Sequence, residues 1–246
     1  FFDIKCRKAG LAPDAAVIVA TVRALKYNGG ADKKNLSAPD VQKLKAGAVN
    51  LIKHIENIKK YNVPAIVAIN VFPTDTEEEI SALKDICRVQ GAAAAVSTVF
   101  ADGSSGGIEL AELVLKALEK QSEFRPLYDD NAGIKEKIET IATEIYGAKG
   151  VIFSPEAKLQ LKKINKFGFG KFPVCIAKTQ YSLSDNPNLL GRPQDFEITV
   201  RELKISAGAG FIVALTGDIM TMPGLPKIPA AAGIDIAENG SIKGLF

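Results

Sequence analysis

Apolar positions follow two alternating patterns through the first half of this chain. Short continuous apolar runs read as buried strands: residues 14–22 (DAAVIVATV), 63–70 (VPAIVAIN) and, more weakly, 91–98 (GAAAAVST). Between them the period changes to that of a helix. Leu44, Val49, Ile52, Ile55 and Ile58 recur at helical spacing after Pro39-Asp40, which predicts a helix of about six turns. Thr76 with Glu79 three positions on has the form of a capping box and opens a second helix running to about Gln90. Residues 103–107 (GSSGG) read as a loop, and residues 108–121 as a third amphipathic helix. Strand and helix alternating three times imply parallel strands joined by crossovers. Ligands of such sheets bind beyond the carboxyl ends of the strands. Those ends are residues 23–30, 70–76 and 100–107, so Arg23, Lys26 and Gly29-Gly30 are placed at the mouth of a sheet.

The second half reads differently. Residues 135–146 are helical, residues 147–153 turn into a short strand, and Ser154-Pro155-Glu156 starts a helix with an N-cap Ser and Pro at its first position. A strand is predicted at 174–177. Residues 195–206 (DFEITVRELKIS) alternate as a strand of a mixed or antiparallel sheet does, and 211–215 is another buried strand. The boundary between the halves falls near residues 122–126. The fold class is therefore α/β: a parallel sheet domain over residues 1–122, followed by a smaller α+β domain over 123–246.

Composition adds mainly exclusions. A net charge of +3 without a Lys/Arg run gives no basis for a nucleic-acid partner. The longest apolar runs are far too short to cross a bilayer, and the start carries no secretory signal, so a cytoplasmic protein is expected. Three scattered cysteines (Cys6, Cys87, Cys175) make neither a disulfide framework nor a zinc site, and no metal ligands are assigned. The single histidine, His54, sits in a helical pattern with no motif around it. No Ser-His-Asp or Cys-His pair and no catalytic carboxylate pair is evident, and catalytic residues stay unassigned. The chain opens FFDIKCRK without Met and reads as a piece of something longer.

Several stretches offer chemistry, each beside a plainer reading. Gly29-Gly30 and Gly103–Gly107 present backbone N–H groups to an anion, or are ordinary turns; neither GxxxxGK[ST] nor GxGxxG after a strand is present. Asn70 with Asp75 five positions later is like a base-reading loop of nucleotide-binding sheets, or is a turn and helix cap. Phe72 and Phe100 each follow a parallel strand closely: they clamp a planar ring, or pack beneath neighbouring loops. The polar string KTQYSLSD at 178–185 is a site or a surface loop.

Together these motifs resemble one family. VATVRALKYNGG, residues 19–30, fits the pattern V-A-T-[IV]-R-[AS]-L-K-x-[HN]-G-G of formate–tetrahydrofolate ligases at all twelve positions. The likeness continues through FFDIKCRKAGL, AINVFPTDTEEEI, GFGKFPVCIAKTQYSLSDNP, SAGAGFIVALTGDIMTMPGLPK and the closing GLF. What it resembles is the carboxyl-terminal portion of that family, whose amino-terminal half carries the P-loop.

The resemblance implies a partial P-loop-type nucleotide-binding sheet, its N-terminal half absent. It implies ATP-dependent ligation of formate to tetrahydrofolate through formyl phosphate, with ATP, Mg²⁺, tetrahydrofolate and a monovalent cation taking part. The implied partners are the P-loop-bearing half of the same protein and a homotetramer of subunits. The family stacks the folate ring between two aromatic residues, and Phe72 in NVFPTDT and Phe100 in FADGSSGG match them. Phe100 stands where the family usually has Trp, and this chain has no Trp at all. Arg23, Lys26, Asn70, Thr74, Asp75, Gly106 and Gly107 are candidate anion or nucleotide contacts, and the MTMPGLPK loop is distinctive without an assigned role. On this reading the chain alone is inactive. The alternative is a folate- or nucleotide-binding or oligomerising module without turnover.

Overall fold

The computed structural model describes residues 1–217, 227–240 and 242–244. Two sheets organise these residues. The first has three parallel strands in sequence order: β1 (Ala16–Ala20), β2 (Ala65–Asn70) and β3 (Ala93–Ser97). Val17 lies beside Ile66, and Asn70 beside Ser97, so all three strands end at one edge.

The connections are α1 (Val22–Asn28), α2 (Val41–Lys60) and α3 (Glu77–Val89), and α4 (Ile108–Leu118) follows β3. Leu44, Leu51 and Ile55 of α2 and Leu83 and Cys87 of α3 bury against Val67 and Ile69 of β2. The opposite face is thinly covered. Val17 and Val19 of β1 are exposed, and α4 buries none of its residues.

The second sheet has the order β4-β6-β7-β5, built from β4 (Gly150–Phe153), β5 (Val174–Ala177), β6 (Glu197–Ser206) and β7 (Phe211–Thr216). It is mixed: β4 with β6 and β5 with β7 run parallel, while the central pair β6–β7 is antiparallel. Its core packs α5 (Ile134–Thr140) and α6 (Pro155–Lys166) on Val200, Leu203 and Ile212. A small antiparallel pair joins Asp235–Ile236 to Ile242–Lys243.

The predicted elements are found with one instructive shift. The sequence pattern carries the first strand to Val22 and places Arg23 and Lys26 at its end, at the mouth of the sheet. The chain instead turns helical at Val22, because the Thr21 hydroxyl accepts the Ala24 N–H at 3.1 Å and RALKYN contains good helix formers. The first nine residues also contribute to the junction of the two sheets. Asp3 accepts from Tyr61 Oη and from Leu127 N at 2.7 Å each, and Arg7 lies over Tyr128. Arg192 then grips Glu56 through two 2.8 Å hydrogen bonds, tying the loop after β5 onto α2. No helix of the described residues is long and apolar enough to cross a membrane.

Candidate functional site

Three segments leave the carboxyl edge of the first sheet side by side. β1 leads through Thr21 into α1, β2 into the loop carrying Phe72, and β3 into a one-turn helix, Val99–Asp102, carrying Phe100. Val71 N donates to Ser97 O at 3.2 Å, so the Phe72 and Phe100 segments start as neighbours.

The Phe72 loop is held firmly. Asp75 Oδ2 accepts the Phe72 N–H at 2.9 Å and Asp75 N donates back to Phe72 O at 2.9 Å, closing a tight turn. Thr76 and Glu79 then form the reciprocal capping box that starts α3. Glu79 does more than cap. Its Oε2 accepts from Thr76 N and Oγ1, and its Oε1 accepts from Asp40 N and Lys26 Nζ, the last at 2.9 Å. Burial pushes the Glu79 carboxyl up, but the bonds from Asp40, Lys26 and Thr76 outweigh it and hold the group down at about 2.

Lys26 is therefore not an open anion contact. It is 1% exposed, and its ammonium is spent on Glu79 and on the Ala38 carbonyl at 2.9 Å. Arg23, three residues earlier on the same face of α1, meets the Phe72 loop instead. Its guanidinium carbon lies 4.3 Å from the centre of the Phe72 ring, and Nη2 donates to Thr74 Oγ1 at 3.2 Å. Arg23 Nε and Asp75 Oδ1 are both buried without a hydrogen-bond partner.

Phe100 is wholly exposed. Its helix has no side-chain cap, and Thr98 N donates to Gly106 O at 3.1 Å to close the segment. Gly106 is required for that closure: a Cβ there would stand 2.6 Å from the Thr98 carbonyl carbon. Gly107 caps the start of α4. Among the described residues Phe72 and Phe100 form no ring pair with each other.

This edge, with two aromatic rings on adjacent strand ends and an arginine from a third, lies within a family match that spans the whole chain. A model of the family described as formate–tetrahydrofolate ligase matches residues 1–246. The chain belongs to the formate–tetrahydrofolate ligase family. Membership implies, at the level of the family, a ligase of tetrahydrofolate one-carbon metabolism with ATP, formate and tetrahydrofolate as substrates.

Within this ligase-family chain the remaining sequence candidates resolve physically. Gly29 donates its N–H to Leu25 O and Lys26 O, and Gly30 to Tyr27 O, so both amides end α1 and neither faces an anion. Gly29 is small because α2 passes against it; a Cβ would lie 1.9 Å from Lys43 O. The 178–185 string folds back on itself, with Lys178 Nζ donating to the carbonyls of Thr179, Ser182 and Ser184. Desolvation pulls the Lys178 ammonium down to about 8.

Lys178 and the exposed His54 line a cavity of about 250 Å³ with Asn28, Asn50 and Tyr146. Partial desolvation at the cavity wall, and then the charges of Lys53 and Lys178, lower the His54 pKa. Among the described residues no group of three or more His, Cys, Asp or Glu is placed to hold a metal. The Met220–Pro226 part of the MTMPGLPK loop and the final Leu245-Phe246 lie outside the described residues.

Proposed function

We propose that this chain supplies the tetrahydrofolate-binding part of an ATP-dependent ligation of formate to tetrahydrofolate. ATP phosphorylates formate to formyl phosphate with loss of ADP. The N10 amine of tetrahydrofolate then attacks the formyl carbon, phosphate leaves, and 10-formyltetrahydrofolate remains. The observation that carries this reading is the placement of Phe72 and Phe100 on adjacent strand ends in a chain of this family. Each offers a flat apolar face, and stacking between two such faces orients a planar ring before reaction.

In this reading Asn70, Thr74, Asp75, Gly106 and Gly107 border the ring slot. Lys26 acts at one remove, fixing Glu79 and through it the loop that presents Phe72. The sequence contains no P-loop, so the phosphate clamp, and with it Mg²⁺, belongs to a P-loop-bearing half that pairs with these residues. A homotetramer, a monovalent cation, a cytoplasmic setting and division of the chain near residue 122 complete the proposal. Without the P-loop half, residues 1–246 bind folate and do not turn over ATP.

Calorimetry with tetrahydrofolate tests the slot: wild type binds, and Phe72→Ala together with Phe100→Ala abolishes measurable binding. Equal binding by the double variant would refute the clamp. Formation of 10-formyltetrahydrofolate from ATP and formate is expected only when the P-loop half is added. Turnover by residues 1–246 alone would refute the division of labour.

A further inference from the structure

Arg23 is poorly accounted for by the fold. A guanidinium carries five N–H donors. Here it makes one 3.2 Å hydrogen bond, to Thr74 Oγ1, and its Nε is buried with no partner. It forms no ion pair with any described residue. Its principal contact is the π face of Phe72, 4.3 Å away. Lys26 on the same helix, by contrast, has a carboxylate and a carbonyl at 2.9 Å. The α1 helix thus buries one cation with full compensation and leaves the other resting on an aromatic ring. That ring belongs to the loop where a planar ligand would stack, and its counterpart Phe100 is bare.

We infer that Arg23 is the resident cover of the ring slot: its guanidinium takes the face of Phe72 that a flat ligand takes, and ligand binding exchanges the one for the other. The inference rests on the Phe72–Phe100 slot proposed above. A cation on an aromatic face is held by a modest attraction, enough to keep the face dry and to lower ring affinity, and too little to block entry. One hydroxyl contact and an unpartnered Nε leave the arginine little to lose when it swings out to water. Arg23 is on this account a specificity-determining residue: it sets a threshold that only a ring with enough stacking surface overcomes.

The experiment compares wild type, Arg23→Ala, Arg23→Lys and Phe72→Ala by calorimetry, using tetrahydrofolate and the ring-less tail analogue γ-linked triglutamate as probes. Removing the cover is expected to tighten tetrahydrofolate binding by roughly three- to thirtyfold, the equivalent of one cation–π contact, and to leave the ring-less probe unchanged. Weaker binding by Arg23→Ala, with affinity kept by Arg23→Lys, would make Arg23 a ligand contact and overturn the inference. Unchanged binding by Arg23→Ala overturns it as well.

The resting position is tested without ligand. In wild type the Arg23 Nε–H resonance is shifted by the ring current of Phe72, and in Phe72→Ala that shift disappears; an unshifted resonance in wild type overturns the inference. If wild type binds tetrahydrofolate and Phe72→Ala weakens it while Arg23→Ala does not tighten it, the slot stands and only the cover falls. If wild type fails to bind the ring, both fall together.

Discussion

Two aromatic segments leave the first sheet as neighbours, and the protein holds them differently. Phe72 sits in a loop braced at both ends: Asp75 closes its turn, and the capping box of α3 follows at once, anchored through Glu79 to a buried lysine. Its ring already has a partner in Arg23. Phe100 sits on a single helical turn without a side-chain cap, closed by backbone bonds and a glycine, and nothing among the described residues covers its ring. The first segment is a fixed wall. The second is a surface whose apolar area is buried only when something outside these residues packs on it. In the ring slot proposed above, one rigid and one open side would place a ligand against the rigid side and gain most of the new burial on the open one.

The largest expected effect breaks the bracing. Glu79→Gln leaves the Lys26 ammonium buried without its counter-charge and weakens the capping box, and is expected to cost about 3–5 kcal/mol in urea unfolding. The same group sets an acid limb. Its folded-state pKa of about 2 lies below the ordinary value of 4.5, so its contribution is complete above about pH 4.5 and is lost as pH falls toward 2. That limb is on the order of 3 kcal/mol and is expected to be absent from the pH profile of Glu79→Gln.

Next comes Phe72→Ala, expected to weaken tetrahydrofolate binding by about 1–3 kcal/mol, the range for removing a stacking platform. Phe100→Ala sharpens the contrast. Binding falls by about 1 kcal/mol while the unfolding midpoint stays put, because a fully exposed side chain contributes within about 0.5 kcal/mol to stability. A large loss of stability in Phe100→Ala would show that the open side is part of the core. The smallest effect is a gain: Phe100→Trp enlarges the open face and is expected to tighten ring binding by less than about 1 kcal/mol, read by the same calorimetry.

Much of the fold was legible because its signals are local. Apolar runs between turn residues marked β1, β2 and β3; the Thr-x-x-Glu spacing marked the start of α3; Ser154-Pro155 marked α6. The site was legible only in part. Phe72 and Phe100 stood out as aromatics just after strands, and the topology sets those strands next to each other. Lys26 was misleading: a lysine beside a glycine pair at a strand end has the pattern of an anion site, whereas its partner is a carboxylate 53 positions away. Gly29 has the same ambiguity, since a glycine that frees an amide for a ligand and one that admits a passing helix look alike in one dimension.

What the sequence determined by itself is the strands, the longer helices and the family, because period, caps and motif spacing are properties of neighbours along the chain. What only the tertiary structure decided is which charges are spent and which rings are free. Arg23 and Lys26 lie on one short helix with the same sign of charge. One is sealed against Glu79 and the other rests on Phe72: at i and i+3 both side chains face the 72–79 segment, and the folding of that segment offers a buried carboxylate to one and an aromatic face to the other.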